Sequence, residues 1–156
     1  MKKINIASDL LLAYQELIKD DFFEISILAN TTAFLNEILE NINWVGFYLL
    51  KDNCLYLGPF QGKVACTRIE VGKGVCGSSV ARKETIIVFD VSKFPGHIAC
   101  DENSQSEIVV PLFVNNKIYG VLDIDSPILN RFNSYDQNFL EEITKILSKH
   151  LEAILK

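Results

Sequence analysis

No run of lysine or arginine occurs in this sequence, and acidic residues outnumber basic ones 20 to 15, for a formal charge of −5. Nothing here would neutralise several phosphates at once, so a nucleic-acid partner is disfavoured. Long apolar runs are also missing. Stretches such as WVGFYLL at 44 to 50 fall far short of the roughly 20 residues that a membrane helix needs. Near the start, Asn5, Ser8 and Asp9 interrupt any signal-like apolar region. The expectation is a cytoplasmic chain, in which four cysteines read as core residues, metal ligands or redox thiols in place of structural disulfides. Internal repeats and low-complexity segments are absent too. With 156 residues, 49% of them hydrophobic, residues 1–156 read as one domain able to bury a sizeable core.

The periodicity then divides the chain. Ser8 is placed to cap a first helix whose Leu10, Leu11, Tyr14, Leu17 and Ile18 share a face. A second helix carries Ile25, Leu28, Leu35, Ile38 and Leu39 to about residue 40. From Trp44 the pattern turns to strands: 44 to 50 and 55 to 57 form a hairpin across Lys-Asp-Asn-Cys, with 68 to 71 beside them. GKGVCGSSVARKE (72 to 84) turns helical and TIIVF (85 to 89) is a strand. Residues 90 to 106 contain Pro95, Gly96 and many polar residues without periodicity. They read as a long loop, and such loops are usually functional. EIVVPLFV and KIYGVLDIDS are strands joined by a tight Asn115-Asn116 turn. Ser134 to Gln137 has the form of a capping box for a last helix with Phe139, Ile143, Ile146, Leu147 and Ile154 on its apolar face. The predicted architecture is α+β, a mostly antiparallel sheet with N- and C-terminal helices packed on it.

Candidate chemistry concentrates in a few places. Cys54, in the hairpin turn, has no histidine or basic cluster nearby in sequence and reads as a bystander. Cys66, Cys76 and Cys100 lie instead in or beside Gly-rich or polar connections. Local electrostatics favour Cys76 as nucleophile, because helix-end N–H groups and Lys73 would lower its pKa. For Cys100 the local signs divide: Asp101 and Glu102 oppose a thiolate, and a protonated His97 favours one. Cys66, Cys76, His97 and Cys100 also form a conceivable zinc set, but the wide gaps do not match a structural knuckle and no metal is assigned. His150, near the apolar stripe of the last helix, reads as a packing residue. Strand alternation puts Asp123 and Asp125 on one face, and Glu107 opens an apolar run. Such carboxylates are either buried partners of basic or backbone donors, or a cage for a cationic ligand with a proton donor of raised pKa. Trp44, the single tryptophan, is by default core; the alternative is an aromatic wall of a small-ligand pocket.

NWVGFY (43 to 48), LGPFQGKVAC (57 to 66), GKGVCG (72 to 77), FPGHIACD (94 to 101), SEIVVPLF (106 to 113) and GVLDIDSP (120 to 127) together resemble the free methionine-(R)-sulfoxide reductase family. The motifs occur in order over nearly the whole chain. The resemblance implies a single GAF domain with a six-stranded antiparallel sheet and a small closed pocket between sheet and loops. It also implies reduction of free methionine (R)-sulfoxide to methionine. By position, Cys100 resembles the family nucleophile, Cys66 the resolving cysteine, and Cys76 a third cysteine acting as a second resolving or relay thiol. Glu107, Asp123 and Asp125 match the pocket carboxylates, and Trp44 the pocket tryptophan. Cys54 lies outside the three-cysteine pattern, and Val64 stands where proline is more common.

The implied reaction runs through a Cys100 sulfenic acid and a disulfide with Cys66. Thioredoxin restores the enzyme, drawing on NADPH through thioredoxin reductase, and no bound cofactor is expected. The first two helices also offer apolar faces for a homodimer. Two rivals remain at this stage. A GAF-type sensor would bind a small metabolite and need no resolving cysteine, and a zinc-stabilised interaction domain would unfold with chelators.

Overall fold

The computed structural model describes residues 2–97 and 102–155. Its elements run α1 (Lys2–Ile18), α2 (Glu24–Ile38), β1 (Trp44–Lys51), β2 (Cys54–Gln61), β3 (Arg68–Glu70), α3 (Gly74–Arg82), β4 (Ile86–Val88), β5 (Ser106–Val114), β6 (Lys117–Ser126) and α4 (Ser134–Ile154), with a short 3₁₀ turn at Val91–Lys93. The six strands form one antiparallel sheet in the order β3-β2-β1-β6-β5-β4. Both edge strands are three residues long, which leaves little unpaired backbone to recruit another chain. The expected α+β architecture is what forms.

Strand alternation splits the sheet into two chemically different faces. Val45 and Phe47 of β1, Ile108, Val110 and Leu112 of β5, and Leu122 and Ile124 of β6 point to one side, and all are essentially inaccessible. There they pack with Tyr14 and Ile18 of α1, Leu28 and Leu35 of α2, and Leu140, Ile143, Leu147 and Leu151 of α4. That last set follows the helical i, i+3, i+7 rhythm. Burying each such side chain contributes about 1.5–3 kcal/mol, which makes this side the main source of stability. The Tyr14 hydroxyl shares a 2.7 Å hydrogen bond with Thr31 between α1 and α2, and His150 Nε2 meets the Asp21 carbonyl oxygen at 2.7 Å. His150 is thus the packing residue its position suggested.

The opposite face carries Trp44, Tyr48, Val109 and Val121 in a second, smaller apolar cluster, closed by Val75, Cys76 and Val80 of α3. Polar strand residues Glu107, Asp123 and Asp125 point to this side as well.

Local signals held unevenly. Asn115 and Asn116 both take positive φ (53° and 64°), as a tight turn requires, and Asp52 and Asn53 do the same in the first hairpin. The last helix is capped by Asn133, whose side chain accepts from the Tyr135 and Asp136 amides; Asp136 Oδ2 reciprocates to the Asn133 N–H at 2.9 Å. The capping box therefore starts one residue before Ser134, because Asn133 retains the extended backbone that a cap needs. Ser8 is not a cap. It lies inside α1, whose helical backbone begins at Lys2. Cys54 is not in the turn but opens β2, where its buried sulfur accepts from Arg68 Nε at 3.1 Å.

Candidate active site

Register explains how distant motifs converge. Trp44 of β1 stands opposite Asp125 of β6, and Asp125 stands opposite Glu107 of β5. The three side chains form a row across adjacent strands. One step along the same face, Asp123 lies between Gly46 and Val109. A pocket opens over this row, lined by Trp44, Tyr48, Cys76, His97 and the three carboxylate residues, with Lys73 and the Val64–Ala65 segment at its boundary. Residues predicted from six separate motifs meet here, with two exceptions. Cys66 packs beside the same cluster but does not line the pocket, and Cys100 lies outside the described residues.

Trp44 is seated by glycine on two sides. A Cβ at Gly46 would lie 2.6 Å from Trp44 Cη2 and would also overlap Phe60 Cβ; a Cβ at Gly62 would lie 2.5 Å from Trp44 Cδ1. Gly62 in addition holds φ at +138°, a conformation that side chains disfavour. The indole stacks on Phe60 and Tyr48, with centroids 5.2 and 5.9 Å apart. Gly46→Ala should therefore tilt the indole out of the pocket wall at a cost of about 1–3 kcal/mol. Because Trp44 is the only tryptophan, a red-shifted emission spectrum and a lowered melting temperature report the change directly.

Both aromatic residues also hold the segment that carries Cys66. The Trp44 indole N–H donates to the Lys63 carbonyl at 3.1 Å, and the Tyr48 hydroxyl donates to the Cys66 carbonyl at 2.9 Å. Tyr48 was not singled out from the sequence. It shares parity with Trp44 along β1, so strand alternation was the signal that placed it on the pocket face. Cys66 is in a disulfide, whereas Cys54 and Cys76 are free thiols. A zinc set built on Cys66 is thereby lost in this oxidised state.

The electrostatics are set by burial. Glu107 and Asp123 are each 6% exposed, and removal from water pushes both carboxyls well above the usual range. Asp125 raises Glu107 further, and Glu107 does the same to Asp123. Protons are thus shared across a tightly coupled group. One carboxylate oxygen, Asp123 Oδ1, is buried without a hydrogen-bond partner among the described residues. His97 Nε2 approaches Glu107 Oε1 at 3.6 Å, but burial lowers the imidazole's pKa, only partly countered by Asp123. The ring and the carboxyl therefore meet mainly as neutral groups.

Cys76 overturns the expectation drawn from its local sequence. It sits in the first turn of α3 but is 4% exposed. Burial first, then Asp123 and Glu107 beside it, push its thiol well above the ordinary value. Lys73 and the helix end do not prevail, because the carboxyl groups arrive from β5 and β6, elements invisible to a local reading.

Residues 90–97 and 102–106 are better tethered than an unstructured loop. Asp90 caps the 3₁₀ turn through the Ser92 amide, Val91 N–H donates to the Gln105 carbonyl at 2.9 Å, and Gln105 N–H donates to the Ser126 carbonyl at 2.7 Å. Ser104 is buried and accepts from Asn43 Nδ2 at 3.2 Å. These ties bring His97 to the rim of the pocket.

Comparison with known proteins agrees with this arrangement. Residues 24–151 match the GAF domain family. The free methionine-R-sulfoxide reductase of Escherichia coli is 50% identical over 97% of this chain and 92% of its own. The structure of fRMsr of Staphylococcus aureus in complex with substrate superposes with a TM-score of 0.89 at 54% identity, covering 93% of this chain and 95% of that one. For the Neisseria meningitidis free methionine-R-sulfoxide reductase, also in complex with its substrate, the TM-score is 0.92 at 44% identity, covering 97% and 92%. At this identity and coverage, and with a GAF domain over residues 24–151, the chain belongs to the family of free methionine-R-sulfoxide reductases, which are oxidoreductases.

Proposed function

We propose that this protein reduces free methionine (R)-sulfoxide to methionine, with Cys100 as nucleophile. The observation that carries the reading is the row Trp44–Asp125–Glu107 with Asp123 beside it, a small pocket that offers an apolar wall and acidic groups together. A zwitterionic sulfoxide presents a methyl group, an ammonium and an oxygen that leaves more readily once protonated. Each of these has a complementary group here.

Cys100 attacks the sulfoxide sulfur as Glu107 donates its proton to the oxygen. Glu107 suits that role because burial and the Asp125 charge opposite keep it protonated. Asp123 receives the substrate ammonium, whose charge and N–H groups supply what its unpartnered Oδ1 lacks. Trp44 packs on the S-methyl group. The S–O bond breaks as the oxygen takes a second proton and leaves as water. A water molecule then adds to the Cys100 sulfur, the newly formed S–S bond breaks, methionine departs with its electron pair, and Cys100 is left as a sulfenic acid. Cys66 then condenses with that sulfenic acid, releasing water and forming a disulfide. In support, Cys66 is disulfide-bonded while Cys54 and Cys76 keep free thiols. Thioredoxin reduces the disulfide by thiol exchange, drawing electrons from NADPH through thioredoxin reductase. The protein itself holds no cofactor in this scheme, and it works in the cytoplasm, where that reductant is available.

The test is turnover of separated methionine sulfoxide epimers with thioredoxin, its reductase and NADPH. The R epimer should be consumed and the S epimer left. Equal rates for both, or none for either, would remove the proposal.

A further inference from the structure

Two of the pocket's acids, Glu107 and Asp123, also form a second constellation with Cys76, a thiol that the proposed reaction does not use. One donor atom each from Cys76, Glu107 and Asp123 lies within 4.8 Å of the others, and all three residues are buried. Their elements are independent: α3 supplies the sulfur, β5 one carboxylate and β6 the other. Asp123 is more than nine-tenths buried, and its Oδ1 makes no hydrogen bond among the described residues. His97 stands at the rim with Nε2 3.6 Å from Glu107 Oε1.

We propose that in the reduced protein Cys76, Glu107 and Asp123 bind a zinc-class divalent cation, and that this ion closes the pocket to substrate. The closure, though not the cation binding, rests on the substrate reading above. Zinc bonds of about 2.0–2.3 Å place tetrahedral donor atoms roughly 3.3–3.8 Å apart, so small rotations of these side chains suffice. A thiolate with carboxylate and imidazole selects zinc or cobalt over magnesium or calcium, which take oxygen ligands. A dication displaces any ligand protons to solvent and supplies the charge that a thiolate and two carboxylates need. Asp125 adds a further negative group to the pocket, while Lys73 is the one cation among the described pocket-lining residues. Water or His97 fills the fourth position. An ion held by Asp123 and Glu107 occupies the groups assigned to the substrate ammonium and to proton donation, so metal and methionine sulfoxide exclude each other.

The experiment is a cobalt(II) titration of the fully reduced protein, with the reductant removed under anaerobic conditions. Expected are one equivalent bound, a thiolate-to-cobalt charge-transfer band, displacement by zinc, and weaker binding when free methionine sulfoxide is added. The band should persist in Cys54→Ser, Cys66→Ser and Cys100→Ser and vanish in Cys76→Ser. Asp123→Asn, with folding checked by circular dichroism, should keep the band but weaken binding about tenfold or more. No band, a band that survives Cys76→Ser, or one lost with Cys66→Ser or Cys100→Ser would overturn the site. The two readings separate cleanly. Metal-free protein that fails to turn over sulfoxide removes the substrate reading and leaves the cobalt band as the measure of the site. Full turnover in the presence of one bound equivalent of zinc overturns the closure.

Discussion

Cys100→Ser should abolish turnover of methionine (R)-sulfoxide, a loss of about 10⁴-fold or more, while Cys76→Ser should retain most of it. The contrast follows from where the Cys76 sulfur stands. A thiolate is the attacking species, and burial among carboxyl groups is the environment that suppresses it. Cys76 has that environment: it is almost fully buried, and Asp123 and Glu107 hold its thiol well above the ordinary range. Its oxygen analogue would pack in the same place and disturb little chemistry. Serine at position 100 would leave a hydroxyl with no comparable nucleophilicity. NADPH consumption with thioredoxin and its reductase reads both variants in one assay. Turnover that survived Cys100→Ser and disappeared in Cys76→Ser would return the helix thiol to the role its local sequence suggested.

Glu107→Gln should lower kcat/KM by about 10²–10⁴-fold, the usual contribution of a positioned general acid, and should also change the pH profile. In the wild type, activity falls as pH rises through the raised carboxyl pKa, because the donor loses its proton. Glutamine carries no such proton, so that limb should flatten. Stability moves in the complementary direction. Unfolded Glu107 titrates in the ordinary carboxylate range and folded Glu107 well above it. The stability of its buried neutral form is therefore complete below the unfolded value and is lost as pH climbs through the folded one. Glutamine stays neutral throughout. The melting temperature of Glu107→Gln relative to wild type should then increase with pH. A flat difference, with the alkaline limb of activity intact, would move the donor role to another carboxyl.

Much of the fold was readable because its signals are periodic. The stripe on α4, the Asn115-Asn116 turn and the alternation that puts Asp123 beside Asp125 on one face each depend on spacing within a single element. What could not be read depends on register between elements. Glu107 stands opposite Asp125 only because β5 and β6 pair as they do, and no local count specifies that pairing. The error over Cys76 has the same origin: Lys73 is a chain neighbour, whereas Glu107 and Asp123 arrive through the sheet. Likewise, the Tyr48 hydroxyl reaches the Cys66 carbonyl across 18 positions of sequence. The family motifs pointed to Glu107, Asp123 and Asp125 together, and the pairing of β5 with β6 is what brings these three to one face.

That bond from Tyr48, with its companion from Trp44 to the Lys63 carbonyl, makes the wall of the pocket also the mount of the disulfide segment. A ligand pressing on the indole and a change of covalent state at Cys66 act on one hydrogen-bonded unit. Thermodynamic linkage then works both ways: whatever methionine or its sulfoxide does to the midpoint potential of the disulfide, the redox state of the disulfide does to their affinity, by the same factor.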